Sequence, residues 1–421
     1  MFRQKTVWTG IVCLAALVVM VSIASQKAGS RSLASQELAR DKSPAPTGPA
    51  RRSVAQPVLR KPMGGDIPPE TNVADPYPTF NGIAVDSENN RVVMSDLNRH
   101  GLLIYDRMAN SASGEVTPPL RHIFGPATEM GYVAGVTVDP DKKEVYIAEN
   151  DGWGMRAFSY DDQGNAAPRR LLATPHQVWG ISLNRTRKEV AVAVEELDSV
   201  LVYQQAATKL DPPIRVIHGE KTGLADPHGV YLDGVNNEIV VANHGNWTTY
   251  HPNTGYDAMP AVIPASSGHF EFPSIRVFPA MAENDAKPAR VIQGERTGLD
   301  WPMQVDVDTG HNEIAVANFG ADSIIIFRRT DQGDVAPVRV IKGEHTGISG
   351  PVGVAIDAKN DEIWVANYGD HTAVVFPRTA SGDVAPTRII RNAPEKSATC
   401  GFTNASAAAY DSKRKEVIVA N

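Results

Sequence analysis

Residues 353–376 read GVAIDAKNDEIWVANYGDHTAVVF. A glycine opens an alternating apolar run that ends at Asp357, four residues follow, and a second run starts at Glu362 and ends at Asn367; a third, AVVF, comes after a short turn. Alternation with period two marks half-buried strands, and gaps of four polar residues suit hairpin turns. The opening recurs as G82-IAVD, G135-VTVD, G180-ISLN, G229-VYLD, Q304-VDVD, G353-VAID and A407-AAYD, at spacings of 53, 45, 49, 75, 49 and 54 residues. The second run recurs as E144-VYIAE, E238-IVVAN, E313-IAVAN and E416-VIVAN. After the third run comes a Gly/Asp/Pro turn such as G333-DVAP or G382-DVAP, and then a fourth strand that begins with Arg121, Arg170, Arg215, Arg290, Arg339 or Arg388.

Four short antiparallel strands per unit, repeated seven times with no helical segment between them, predict an all-β fold, a seven-bladed β-propeller. The last unit stops after its second strand, at Asn421. R60-KPMG64 carries the Arg-x-x-x-Gly spacing of R339-VIKG343, so an N-terminal strand within 57–64 is expected to complete the last blade and remove an open edge.

Ahead of the repeats, residues 1–25 read as a signal peptide or signal anchor, with Arg3 and Lys5 before an apolar run from Val7 to Ala24. Residues 26–56 are rich in Pro, Ser and basic side chains without apolar periodicity, which predicts a disordered linker, and residues 57–421 hold the propeller. The expected location is secreted or periplasmic, with membrane contact only through an uncleaved N-terminal anchor. The formal charge is -7, yet Arg3 and Lys5 add two positive charges and residues 27–61 add six more, leaving -15 on the rest. A body so acidic repels nucleic acid. Cys13 and Cys400 exclude a disulfide framework, a four-thiolate metal site and a c-type haem.

The stretches I363-WVANYGDHTAVVF376 and I314-AVANFGADSIIIF327 resemble the NHL and YVTN-type repeats of secreted and surface propellers, within the broader lactonase-like propeller superfamily. That resemblance covers roughly residues 57–421 and implies architecture; propellers of this kind serve as binding platforms, lactonases and lyases. Gluconolactonase-type members hold calcium through carboxylates and Asn around the channel. Here only Asn81, in F80-NGIAVD86, matches, and the comparable inner-strand starts are Ala134, Trp179, His228, Met303, Val352 and Ser406, so no metal site is expected and calcium stays the one candidate cofactor.

Topology directs attention to one face, where the second strands end and the inner strands begin. The ends include Asn243, Asn318 and Asn367, whose plainer role is to cap turns and whose alternative role is a polar binding ring. Blade four carries 26 extra residues after Asn243, including His244, Trp247, Tyr250 and His251, an aromatic composition that fits a binding loop or a plug. Asn81, Trp179 and His228 begin inner strands beside it. No nucleophile elbow, HExxH or phosphate loop is present. The favoured expectation is a non-catalytic module that binds a protein, peptide or glycan through this face. The alternatives are a lactonase-like hydrolase or a lyase using a channel histidine as base.

Overall fold

The computed structural model describes residues 75–111, 114–151, 154–245, 271–397, 407–414 and 416–420. The signal, the linker and the segment 57–64 lie outside them. Six four-stranded antiparallel sheets run from inner to outer strand in chain order. The inner strands are Phe80–Asp86, Val133–Asp139, Val178–Asn184, Pro227–Asp233, Pro302–Asp308 and Pro351–Asp357. The second strands are Arg91–Asp96, Glu144–Glu149, Glu189–Val194, Glu238–Asn243, Glu313–Asn318 and Glu362–Asn367. The third are Gly101–Asp106, Gly154–Ser159, Ser199–Gln204, Ser274–Pro279, Ser323–Arg328 and Thr372–Pro377, and the outer ones are Arg121–Phe124, Arg170–Leu172, Arg215–His218, Arg290–Gln293, Arg339–Ile341 and Arg388–Arg391. Helices among the described residues are single 3-10 turns, and none is long and apolar enough to cross a membrane.

Each sheet is packed on both faces by its neighbours, which is why second strands such as EIAVAN are buried from their second residue onward. The first hairpin of a blade is set by the residue that ends its inner strand, an Asp in five blades and Asn184 in blade three. Asp233 Oδ1, for example, accepts the N–H groups of Val235 and Asn236 at 3.0 and 2.8 Å.

Six blades, not seven, make the ring, and no N-terminal strand completes the last of them. Inner strand Phe80–Asp86 packs directly against Pro351–Asp357, so blade one is the next neighbour of blade six. Both already own four strands, which leaves no vacancy for a segment from the N-terminus. Phe80, Ile83 and Tyr105 share a buried cluster with Ala355, Trp364 and Ala366 across this junction. Arg107 donates to Glu362 at 2.9 Å, and His371 contacts the Pro78 carbonyl at 2.7 Å and Asp75 at 3.2 Å. The seventh copy of the repeat forms a separate two-stranded hairpin, Ala407–Asp411 with Glu416–Ala420. A chain trimmed to residues 75–397 is therefore expected to melt within about 2 °C of the full chain. A drop of 10 °C in a calorimetric scan would contradict closure by six blades.

The recurring Arg and Gly/Asp/Pro turn join one blade to the next. Arg290 Nη1 and Nη2 meet the Glu238 carboxylate at 2.8 Å each, and Arg329 from the following blade meets it at 2.7 Å. Arg339 and Arg378 on Glu313, and Arg388 and Arg107 on Glu362, repeat the arrangement. The turns add backbone stitches: Gly333 N–H donates to Val291 and Gly382 N–H to Val340, each at 2.7 Å. At the closing junction Ser111 and Thr117 N–H groups do the same to the carbonyls of Ile389 and Arg391.

Candidate functional site

One backbone bond, repeated in all six blades, builds the mouth of the channel. The N–H of the residue after the second strand donates to the carbonyl of the residue preceding the inner strand's first position. The pairs are Leu97 with Thr79, Asn150 with Tyr132, Glu195 with Gln177, His244 with Asp226, Phe319 with Trp301, and Tyr368 with Gly350, at 2.9–3.1 Å. The carbonyl partner adopts the left-handed conformation in four blades, at Gln177, Asp226, Trp301 and Gly350. Two residues further on, a side chain faces the axis: Asn81, Ala134, Trp179, His228, Met303 or Val352. The frame thus presents three side-chain positions per blade, and the repeat is not kept at any of them.

These positions enclose a cup of about 310 Å³. Its twelve lining residues all belong to them: Asn81, Tyr132, Trp179, Glu195, Asp226, His228, His244, Trp301, Met303, Phe319, Val352 and Tyr368. Below the cup the channel narrows to about 20 Å³. There glycines at 82, 135, 180, 229 and 353 bring the inner strands together, while Gln304 takes the equivalent place in blade five and donates across to the Ile83 carbonyl at 3.4 Å.

The lining is divided. Blades three and four supply the polar wall, and blades five and six supply Trp301, Met303, Phe319, Val352 and Tyr368. Rings follow one another around the rim: Tyr132 to Trp179 at 5.4 Å between centroids, Trp179 to His228 at 4.4 Å, His228 to His244 at 3.9 Å, His244 to Trp301 at 5.3 Å, and Trp301 to Phe319 at 6.1 Å. Such aromatic surfaces suit apolar faces of a ligand.

On the polar wall Asp226 stands between two imidazoles. Its Oδ1 lies 3.1 Å from His228 Nδ1 and its Oδ2 lies 3.1 Å from His244 Nδ1; His228 Nδ1 is also 3.2 Å from the Asp226 carbonyl. Burial pushes the Asp226 carboxyl up, but the charge of His228 and the bonds from both histidines hold it well below the usual carboxylate range. Burial opposes charge on His228, and the adjacent Asp226 outweighs it, raising that imidazole above its ordinary value. His244 is pushed down to about 4 by burial and by the charge of His228, so it is neutral at pH 7. Trp179 Nε1 donates to Glu195 at 2.5 Å, and the Glu195 carboxyl is pushed up to about 6 by burial and then by Asp226. The wall therefore combines an ion pair, a neutral imidazole and a carboxylate that titrates near neutrality.

Of the residues singled out from sequence, Asn81, Trp179, His228 and His244 meet in this cup. Asn81 Nδ2 donates to the Ala134 carbonyl at 2.7 Å. Asn243, Asn318 and Asn367 are buried beside it and hold turns: their Oδ1 atoms accept the N–H groups of Ala225, Asp300 and Ser349 at 2.8, 2.7 and 3.1 Å. Trp247, Tyr250 and His251 lie outside the described residues. Sequence reasoning missed Tyr132, Glu195, Asp226, Trp301, Phe319 and Tyr368. The usable signal was register: these residues occupy fixed places in the repeat where its identity lapses between well-kept flanks.

Calcium needs several oxygen ligands, and the amide and carboxylate oxygens of the cup come from Asn81, Glu195 and Asp226, with two imidazoles between them. No protein-family model matches this chain, and no curated protein is significantly similar to it.

Proposed function

We propose that this propeller is an exported, NHL/YVTN-like binding module that takes a small amphipathic group into the cup, either a free molecule or the terminal residue of a glycan or peptide. The observation that supports it is the concentration of non-repeating side chains at the three mouth positions, with a titratable wall facing an aromatic one. The volume of about 310 Å³ sits at the lower end of small-ligand pockets, enough for one sugar ring or one peptide terminus. A hydrogen-bonding end faces Glu195 and the histidines, and an apolar face lies on Trp301, Phe319 and Tyr368. Export rests on the N-terminal apolar segment, and the acidic body makes nucleic acid an improbable partner.

Tryptophan fluorescence against a panel of monosaccharides, amino-acid derivatives and short peptides tests this reading. Binding with Kd on the order of 10 µM is expected for at least one compound, with Trp301→Ala and Glu195→Gln each weakening it about tenfold. The compound should be recovered unchanged. Uniform failure across the panel counts against the cup as a binding site. Chemical conversion of the compound supports the second reading, hydrolase or lyase, which draws on a neutral His244 oriented by a carboxylate as a general base requires. In that event His228→Ala and His244→Ala should lose turnover while Asn318→Ser keeps it.

A further inference from the structure

The geometry points to a second capacity of the same cup: Asp226, His228 and His244 form a three-ligand site for one divalent ion of the borderline class, of which zinc and cobalt(II) are examples. The inference goes beyond organic-ligand binding and stands or falls without it. One donor atom from each of the three side chains lies within 4.8 Å of the other two, and all three residues are 3–5% exposed. Nitrogen and oxygen donors held about 2.0–2.2 Å from a shared tetrahedral ion sit roughly 3.4 Å from one another. Each Nδ1 lies 3.1 Å from one oxygen of the carboxylate, His228 from Oδ1 and His244 from Oδ2, so gathering three donors around one ion takes side-chain movement within the 4.8 Å they already span.

The backbone that carries the donors is fixed before any ion arrives. Asp226 N–H is held by Asp198 at 2.8 Å, its carbonyl accepts the His244 N–H at 3.1 Å, and the irregular register between Pro227 and Gly229 sets His228 beside them. Two imidazoles and one carboxylate suit zinc, cobalt, nickel or copper, whereas calcium and magnesium require mostly oxygen. Three protein ligands leave a position open toward the cup, as in metal centres that accept a further molecule.

The test uses the full chain, stripped with a chelator and dialysed, then titrated with Co²⁺ alone and with Zn²⁺ alone. One equivalent of Co²⁺ should bind with a visible absorption band and quench tryptophan emission, because Trp179 is 4.4 Å from His228 and Trp301 is 5.3 Å from His244. Zn²⁺ should displace it, and Ca²⁺ or Mg²⁺ in hundredfold excess should not. His244→Ala and Asp226→Asn should each weaken Co²⁺ binding by about 100-fold or more, at or above what losing an outer partner costs. Absence of Co²⁺ binding by the wild type overturns the proposal. So does an unchanged band in a His228→Ala/His244→Ala chain whose circular dichroism is native. Quenching by Co²⁺ but not Ca²⁺ is read on the wild type, so the test holds even where a variant fails to fold. Metal binding without any organic ligand would leave the site standing while the binding function failed.

Discussion

Replacing Gly229 with alanine is expected to cost about 3 kcal/mol or more and to leave little folded protein at 37 °C. A Cβ at this position would lie 2.4 Å from the Met303 carbonyl oxygen and 2.8 Å from the Val305 N, both backbone atoms of the neighbouring inner strand. Side chains can swing aside, but an inner strand cannot retreat without opening the ring. Gly180 meets the same obstacle, 2.4 Å from the His228 carbonyl oxygen. Gly333 supplies the control: it has positive φ but nothing within 4 Å of its added Cβ, so Gly333→Ala should lose only about 1 kcal/mol of backbone strain. Urea denaturation of the two variants separates them. Equal midpoints for Gly229→Ala and wild type would show that the inner strands do not converge as described.

Glu362→Ala should have the next largest effect, about 2–4 kcal/mol, somewhat below the cost of breaking a wholly buried pair because its partners are 11–13% exposed. Glu362 accepts two bonds from Arg388 at 2.8 Å and one from Arg107 at 2.9 Å, and Arg107 belongs to blade one. Losing the carboxylate leaves two guanidinium groups facing each other at the junction where the chain's first and last complete blades meet. Amide exchange should accelerate first in Phe80–Asp86 and Pro351–Asp357, which Glu238→Ala, with the same geometry between blades four and five, should not reproduce. Burial alone would raise the Glu362 carboxyl, but bonds and charge from Arg388, with Arg107, hold it below the ordinary carboxylate value. A depressed carboxylate stabilises the fold at pH above its unfolded value and loses that contribution as pH falls through its folded value. The difference between wild type and Glu362→Ala should accordingly be full at pH 7 and shrink below about pH 4.5. A gap that persists at pH 3 would assign the loss to packing rather than charge.

The number of strands per blade, their order and the face that carries the mouth were legible from the alternation and its punctuation. In Gly353 to Phe376 each reversal of the chain is marked by a residue whose side chain makes the turn, so local chemistry determines local structure. The Arg at the head of the outer strand was visible too, though its partner, the Glu at the head of the second strand, was not recognised. The blade count was the failure. Seven copies of a pattern predict seven blades, yet among the described residues the strands of A407-AAYD and E416-VIVAN pair only with each other, whereas each of the other six copies belongs to a four-stranded sheet. Closure depends on whether one wedge face fits another, and Phe80, Tyr105 and Trp364 become a junction only when residues up to 284 positions apart are brought together.

The cup was half legible for a related reason. His228 and Trp179 stood out because they begin inner strands, whereas Asp226 and Glu195 look like ordinary loop acids until one backbone bond repeated around the ring turns both toward the axis. What the chain determines alone is therefore its alternation: periodicity, turn residues and the acid and base heading each strand, all governed by interactions within about 50 residues. What the tertiary structure decided is how many of those units close and which of their unrepeated side chains share a cavity. Those outcomes depend on the angle between sheets and on distances across the axis, which are properties of the assembled ring and leave no periodic trace in a linear string.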